Sequence, residues 1–175
     1  MGAVVFRRQS ARPGKVICVG KNYAAHIEEM ASAPAENMVM FMKPATSIGN
    51  ELFAAPDEPL HYESEICLLM QGGELVGVGF GLDLTKRDTQ AKLKAAGLPR
   101  ERSKAFTGSA LFSEFVTAPQ DHTQLGVELV IDDAVLQKGY ASLMLYPPGV
   151  ILKELNQFLV LEDFDIVMTG TPAGV

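Results

Sequence analysis

The sequence has little cysteine, no excess of positive charge and no long apolar run. Its two cysteines, Cys18 and Cys67, lie in apolar strand-like segments, so we expect buried, reduced thiols rather than a disulfide framework or a catalytic thiol. A net charge of -6 disfavours a nucleic-acid or anionic-membrane partner. No segment approaches the roughly 20 apolar residues of a membrane helix or resembles a signal peptide. These absences predict a cytoplasmic protein.

The composition is otherwise that of an ordinary globular protein. The chain has 175 residues, of which 47% are apolar and 21% charged. That length suits one domain with a sizeable core. Small anionic substrates remain possible, since local lysine, arginine or a metal ion could bind them.

The stretch His61–Glu65 is the most informative segment, because it runs directly into the apolar Ile66–Met70. In an extended strand alternate side chains share a face, so Glu63 and Glu65 would project side by side with His61. Two neighbouring carboxylates repel each other unless a cation lies between them. Oxygen ligands favour Mg²⁺, Mn²⁺ or Ca²⁺, and Zn²⁺ or Fe²⁺ would become plausible if His61 also bound. The same residues also suit a solvated strand start.

A glycine-rich strand follows, and it ends in a third carboxylate. Alternation places Gly77, Gly79, Gly81 and Asp83 on one face of this strand. A glycine face lets a backbone or a ligand approach closely, so Asp83 is a candidate metal ligand. The glycines do not form a dinucleotide-binding fingerprint, because Leu82 stands in place of the third glycine.

A short helix after Gly20 carries a possible catalytic pair. Asn22 can cap a helix through Met30, on which His26 and Glu29 lie at i and i+3 on one face. This is the geometry of a general base and the carboxylate that orients it. A surface histidine near a glutamate is the alternative interpretation.

The segment after Asp83 predicts a second helix. Thr85 and Asp88 resemble a capping box that opens a helix as far as Ala95. Arg87 and Gln90 would then lie near its N-terminus, where an anionic substrate could bind. An ordinary solvated helix start would look the same.

The remaining segments indicate further elements. Lys104 lies in a polar stretch that is typical of a solvent-exposed loop, and the turn Gly170–Gly174 could hold a carboxylate through its backbone amides and the Thr171 hydroxyl. We also predict a helix after Pro147 with an apolar stripe, strands with the bounds Lys15–Gly20, Asn37–Pro44 and Asp165–Thr169, and a hairpin that turns at Asp132 and Asp133.

Six segments follow one another in an informative order: Gly20–His26, Phe41–Pro44, His61–Glu65, Leu82–Asp88, Ser103–Phe106 and Thr169–Val175. Together they closely resemble the fumarylacetoacetate hydrolase family, especially its short, single-domain acylpyruvate hydrolase and oxaloacetate decarboxylase branch. The resemblance covers nearly the whole chain from about Lys15 onward. It implies an α+β, mostly β fold with a mixed, rolled β-sheet and peripheral helices, in one catalytic domain over residues 1–175, usually as a homodimer.

The resemblance also implies a role for each candidate residue. Glu63, Glu65 and Asp83 become the ligands of Mg²⁺ or Mn²⁺, and His61 becomes their neighbour. His26 becomes the general base, oriented by Glu29. Lys104 becomes the cation that stabilises developing negative charge, and the substrate contacts are Arg87, Gln90 and Thr171.

These roles predict a metal-dependent hydrolase that cleaves acylpyruvates, small anionic oxo acids, to pyruvate and a carboxylic acid. The alternatives are a decarboxylase or tautomerase of oxo-diacids such as oxaloacetate, and a non-catalytic relative that binds an oxo acid and a metal. Two departures from the family are expected to matter: only Gly72 to Leu75 replaces a longer segment, and the chain stops at Val175 before the family's final strands. Either the protein is shortened or this sequence omits residues, and only a real truncation would leave sheet edges unpaired.

Overall fold

The computed structural model describes residues 2–53 and 58–175. The sequence predicts a loop marked by Pro56 and Pro59 before the central stretch, and Pro56 lies outside the described residues. The described residues form these helices: α1 (Ala24–Glu29), α2 (Arg87–Ala95), α3 (Glu101–Lys104) and α4 (Pro148–Leu155). They form these strands: β1 (Val4–Phe6), β2 (Gln9–Ala11), β3 (Lys15–Gly20), β4 (Val39–Pro44), β5 (Leu60–His61), β6 (Ser64–Gln71), β7 (Glu74–Asp83), β8 (Thr85–Lys86), β9 (Ala110–Phe112), β10 (Val116–Thr117), β11 (Gly126–Ile131), β12 (Ala134–Tyr140) and β13 (Ile166–Met168).

The largest sheet has seven strands and is mixed. Its order is β10-β7-β6-β13-β3-β4, and β9 also pairs with β7. The β13–β3 pair is parallel and the other pairs are antiparallel. Three two-stranded ribbons accompany it, formed by β1–β2, β5–β8 and β11–β12. The expected mostly β fold, with a rolled mixed sheet and few helices, is confirmed.

The core lies on both faces of this sheet, as the alternation along its central strands shows. Ile17 and Val19 of β3 belong to one apolar cluster, whereas Val16 and Cys18 belong to the other. Both cysteines are buried and free, as expected. Strands buried on both faces need continuous apolar runs, which explains why β3, β6 and β13 contain them.

A tight turn sets the register of the β6–β7 hairpin. Gly72 and Gly73 adopt φ values of +61° and +78°, which L-residues with side chains rarely adopt, and Gln71 pairs with Glu74. The short connection in the sequence is therefore a two-residue hairpin turn. After a register shift near Leu69, the pairing brings Glu65 opposite Gly81 at the far end of the hairpin.

The glycine face of β7 permits close packing by side chains rather than by a backbone. A Cβ atom on Gly81 would lie 2.4 Å from Cys67 Sγ, and one on Gly79 would lie 3.0 Å from the Phe115 ring. The expected close approach at these glycines therefore serves the apolar core. Only Asp83, at the end of the strand, belongs to the polar site described below.

Several local predictions are confirmed and others need correction. The hairpin turns at Asp132 and Asp133, and both have positive φ. The helix after Pro147 forms, but it ends at Leu155. Phe158, which the sequence predicts as part of the apolar stripe, therefore lies beyond the helix and is 61% exposed. Among the described residues, no helix has the length and apolar character needed to cross a membrane.

Candidate active site

Three acidic side chains meet where the β6–β7 hairpin opens. The backbone N–H of Asp83 donates to the carbonyl of Glu63 at 2.9 Å, which places position 63 opposite position 83. One carboxylate oxygen from each of Glu63, Glu65 and Asp83 lies within 4.8 Å of the others, and all three residues are at least 95% buried. The predicted convergence of these three carboxylates is therefore present in the fold.

The expected single strand through the central stretch is wrong. Strand β5 ends at His61 and β6 begins at Ser64, so the chain bends between them, and Glu63 has a φ of +21°. This bend, rather than simple alternation, directs Glu63 toward Asp83. His61 is not a member of the carboxylate cluster, because its Nδ1 accepts a hydrogen bond from Arg87 Nε at 3.2 Å.

The turn after β13 binds carboxylates, although they are the protein's own. The N–H of Gly170 donates to Glu65 Oε2 at 2.6 Å, and the N–H of Gly174 donates to Glu29 Oε1 at 2.9 Å. Because Met168 pairs with Cys67, the sheet itself brings Gly170 beside Glu65. Burial raises the pKa of Glu65 well above its ordinary value, and the nearby Asp83 carboxylate raises it further.

Lys104 bridges the other two carboxylates. Its Nζ lies 2.7 Å from Glu63 Oε2, 2.7 Å from Asp83 Oδ2 and 2.5 Å from Thr85 Oγ1. This lysine is buried, so the solvent-exposed loop position that its polar sequence neighbours predict is wrong. It lies instead beside the carboxylates, where the resemblance to the family places it. Burial alone would lower the pKa of Lys104, but Asp83 and Glu63 outweigh it and raise that pKa.

Arg87 is held by three neighbours at the mouth of the cluster. Its guanidinium donates to Glu63 Oε1, to Gln90 Oε1 at 2.6 Å and to the His61 ring. Burial would raise the pKa of Glu63, but attraction to Lys104 and Arg87 prevails and lowers it to about 2. Glu63 is therefore ionised at every physiological pH.

Sequence reasoning assigned no role to Lys43, which the structure places beside the carboxylates. Its fully buried Nζ lies 2.8 Å from Asp83 Oδ1, in an ion pair without hydrogen-bond geometry. It also donates to the carbonyls of Lys104 and Ser109 and to Ser109 Oγ. One signal was available: a lysine at the end of an apolar strand is seldom buried without a partner.

His26 and Glu29 form the expected pair on α1. His26 Nδ1 lies 3.1 Å from Glu29 Oε2, and the imidazole is 11% exposed. The helix begins differently from the prediction, because Tyr23 occupies the N-cap and Asn22 does not cap it. The buried Asn22 side chain instead donates to the carbonyls of Thr169 and Tyr146, where two chain segments need hydrogen-bond partners.

The predicted capping box before α2 is also wrong. The N-cap is Lys86, and no side chain caps the helix. Thr85 instead donates to the carbonyl of Asp83 at 3.1 Å and accepts a hydrogen bond from Lys104. Its hydroxyl is used inside the polar cluster, so it is unavailable at the helix end.

One cavity joins these groups. Eight of the nine predicted site residues line it. The ninth, Glu29, contacts His26, which is one of the eight. The eight are His26, Glu63, Glu65, Asp83, Arg87, Gln90, Lys104 and Thr171. Thr171 Oγ1 also accepts a hydrogen bond from Gln137 Nε2 at 2.8 Å.

The carboxylate cluster fits a divalent metal ion. Its ligand atoms are all oxygens, which Mg²⁺ and Mn²⁺ prefer. Among the described side chains, Glu65 has no cationic partner within 4.0 Å, whereas Glu63 and Asp83 each pair with a lysine. A buried carboxylate without a counter-charge is costly, and a bound cation would compensate it.

Comparison with known proteins finds a matching family and several similar proteins. The family model described as fumarylacetoacetate (FAA) hydrolase C-terminal matches residues 15–175. The oxaloacetate tautomerase YcgM of Escherichia coli (strain K12) is 36% identical over 179 residues, which cover 92% of this chain and 82% of that protein. The mitochondrial oxaloacetate tautomerase FAHD1 of Bos taurus is 34% identical over 177 residues, with 91% and 80% covered.

A solved structure resembles the fold closely. The fumarylpyruvate hydrolase from Pseudomonas aeruginosa, in complex with Mn²⁺ and pyruvate, has a TM-score of 0.89 and 28% identity, and the match covers 99% of this chain and 84% of that chain. The named relatives are enzymes, and this chain is an enzyme as well. Its sequence, its fold and its convergent carboxylates all lead to one assignment: the chain belongs to the fumarylacetoacetate hydrolase family.

Proposed function

We propose that the enzyme catalyses keto–enol tautomerisation of 2-oxo-diacids such as oxaloacetate, with a divalent ion held by Glu63, Glu65 and Asp83. The observation that carries this proposal is the His26–Glu29 pair, which faces the same cavity as the three carboxylates. Tautomerisation requires a base that removes a proton from carbon and returns one to oxygen. The tautomerase names of two similar proteins support the same choice over the hydrolase that we first expected.

The chain's own residues supply the proton transfer. Because Nδ1 of His26 lies against Glu29, Nε2 is left to remove the proton from carbon 3 of the substrate. Glu29 stabilises the imidazolium that forms, and the Gly174 N–H fixes the other oxygen of that carboxylate. His26 then delivers a proton to the oxygen at carbon 2.

Lys104 supports the negative charge that develops on this oxygen. Because its pKa is raised, Lys104 acts as a fixed positive charge rather than as a proton donor. A divalent ion at the carboxylate cluster would supply Lewis-acid stabilisation of the same charge. Mg²⁺ and Mn²⁺ both suit this ligand set.

The test follows the ultraviolet absorbance of enol-oxaloacetate with Mg²⁺, with Mn²⁺ and with chelator, while pyruvate is assayed separately. We expect metal-dependent ketonisation without equivalent pyruvate. Glu29→Gln keeps an oxygen that accepts the Gly174 N–H but removes the negative charge that stabilises the His26 imidazolium. It should therefore lower kcat by about 10²-fold. Glu28→Gln is the matched control, because Glu28 is exposed on the same helix. Ketonisation no faster than in buffer, with either metal, would refute the proposal.

Hydrolysis of acylpyruvates is the second candidate. The His26–Glu29 pair could equally deprotonate a water molecule, and the fumarylpyruvate hydrolase is a close structural match. Decarboxylation of oxaloacetate needs no attacking water, so His26→Ala should abolish hydrolysis and largely spare decarboxylation. Release of a carboxylic acid and pyruvate from acetylpyruvate, abolished by chelator, would favour the hydrolase.

The homodimer and the cytoplasmic location remain predictions. Light scattering coupled to size-exclusion chromatography would measure the mass of the particle. The Bos taurus relative is named as mitochondrial, so fractionation of the source cells is needed to locate this protein.

A further inference from the structure

A second group of charges lines the active-site cavity, and all of its members are cations. Lys21 follows β3, Lys94 lies in the last turn of α2, and Arg100 precedes α3. Their charges act on one another: burial lowers the pKa of Lys94, and the positive charges of Arg100 and Lys21 lower it further. Three chain segments therefore bring like charges to one cavity.

These cations have no acidic partner in the described part of the chain. Lys21 Nζ donates to the carbonyl of Ala33 at 2.7 Å, and the side chains of Lys94 and Arg100 form no hydrogen bond or ion pair with a described residue. Arg87 differs, because Glu63 and two other side chains already occupy its guanidinium. Like charges that crowd a cavity without a counter-charge are unfavourable unless an anion binds there.

The same cavity is lined by these cations and by the carboxylate cluster, so it offers two kinds of group of opposite charge. The carboxylates, with their metal ion, suit the oxo-acid end of the substrate, as the proposed function requires. We propose that Lys94 and Arg100, assisted by Lys21, bind a second carboxylate at the opposite end of that substrate. This inference rests on the proposed function and deepens it: it assigns the residues by which the site prefers dianionic 2-oxo-diacids to monoanionic 2-oxo acids.

Two ligands of equal length test the inference. Both 2-oxoglutarate and 2-oxopentanoate have five carbons, but the first ends in a carboxylate and the second in a methyl group. Calorimetric titration of the Mn²⁺-loaded protein should show at least tenfold tighter binding of 2-oxoglutarate. The double variant Lys94→Gln/Arg100→Gln should lose about tenfold in affinity for 2-oxoglutarate and change less than twofold for 2-oxopentanoate.

The chain offers a matched control. Lys92 lies on the same helix as Lys94, and Arg102 lies two residues beyond Arg100; both are exposed and neither lines the cavity. Lys92→Gln/Arg102→Gln makes the same change in net charge, so it should keep the preference for the dianion. Equal weakening of both ligands by the cavity variant, or loss of the preference in the control, would overturn the inference.

Kinetics separate this inference from the proposed function. In the cavity variant the KM for oxaloacetate should rise about tenfold while kcat changes less than twofold, because the cations bind the substrate and do not transfer protons. If the wild-type protein preferred the dianionic ligand but turned over no oxo acid, the proposed function would be refuted and the inferred carboxylate-binding site would stand. A turnover-competent protein without the preference would refute the inference alone.

Discussion

Glu65 provides the sharpest test of the metal site, because its charge is the least compensated of the three carboxylates. Glu63 and Asp83 each contact Lys104, whereas the Glu65 carboxylate accepts, from the described residues, only the Gly170 N–H. A glutamine at this position would keep an oxygen acceptor for that N–H and would remove the buried charge. Glu65→Gln therefore changes electrostatics with little change in packing.

Relative to the wild type, this substitution should stabilise the metal-free protein and destabilise the metal-bound protein. In chelator, removal of an uncompensated buried charge should raise the free energy of unfolding by about 1–2 kcal/mol, which corresponds to a Tm roughly 2–8 °C higher. With Mg²⁺ at 100 times its Kd, the wild-type protein should gain about 2.7 kcal/mol. Glu65→Gln should gain little, since it lacks one of three ligands, so the order of the two melting temperatures should reverse.

The pH dependence follows from the raised pKa of Glu65. An acid whose pKa is higher in the folded state than in the unfolded state destabilises the fold above the folded pKa and has no such effect below the unfolded pKa. The advantage of Glu65→Gln in chelator should therefore be complete at alkaline pH. It should vanish as the pH falls below the ordinary pKa of glutamate, about 4.3.

Differential scanning calorimetry at several pH values, with Mg²⁺ or with chelator, measures all of these effects. Glu74→Gln is the control, because Glu74 is exposed at the start of β7 and carries the same charge. A variant at Glu65 that melts below the wild type in chelator would refute the electrostatic reasoning. A variant that Mg²⁺ stabilises as much as the wild type would refute Glu65 as a ligand.

Two further substitutions test the packing around the site. Lys43→Met removes a buried cation from Asp83 and should lower the free energy of unfolding by about 3 kcal/mol in urea denaturation; a loss below 1 kcal/mol would show that this ion pair contributes little. Gly81→Ala places a Cβ atom 2.4 Å from Cys67 Sγ and should cost about 1–3 kcal/mol, whereas Gly149→Ala meets no atom within 4 Å and should cost nothing. Equal melting temperatures for the two alanine variants would contradict the packing argument.

The sequence was most informative where short-range patterns determine structure. Short continuous apolar runs identified β3 and β6, and the Gly72–Gly73 pair correctly indicated a turn. Ordered motifs then predicted which carboxylates converge. The hairpin register that joins Glu63 to Asp83 depends on that turn and on the register shift between Leu69 and Met70. Predictions that depended on one residue and its immediate neighbours in the sequence were wrong at two helix caps.

Asn22 and Thr85 show why the two helix caps were mispredicted. Either residue can cap a helix, and nothing nearby in the sequence argues against it. In the fold Asn22 hydrogen-bonds to chain segments more than 120 residues away, and Thr85 binds the ammonium of Lys104. A buried polar partner competes with a helix N-terminus for the same side chain, and the sequence does not show that partner.

Lys43 and Arg100 extend this argument from structure to function. The sequence predicts no role for either cation, and each acquires significance only from charges that the fold brings to it. Lys43 meets Asp83 and becomes part of a compensated buried cluster, whereas Arg100 meets Lys94 and adds to an uncompensated one. Because a compensated cation stabilises the protein and an uncompensated one is available to a ligand, the sign of the neighbouring charge separates a structural residue from a candidate for substrate recognition.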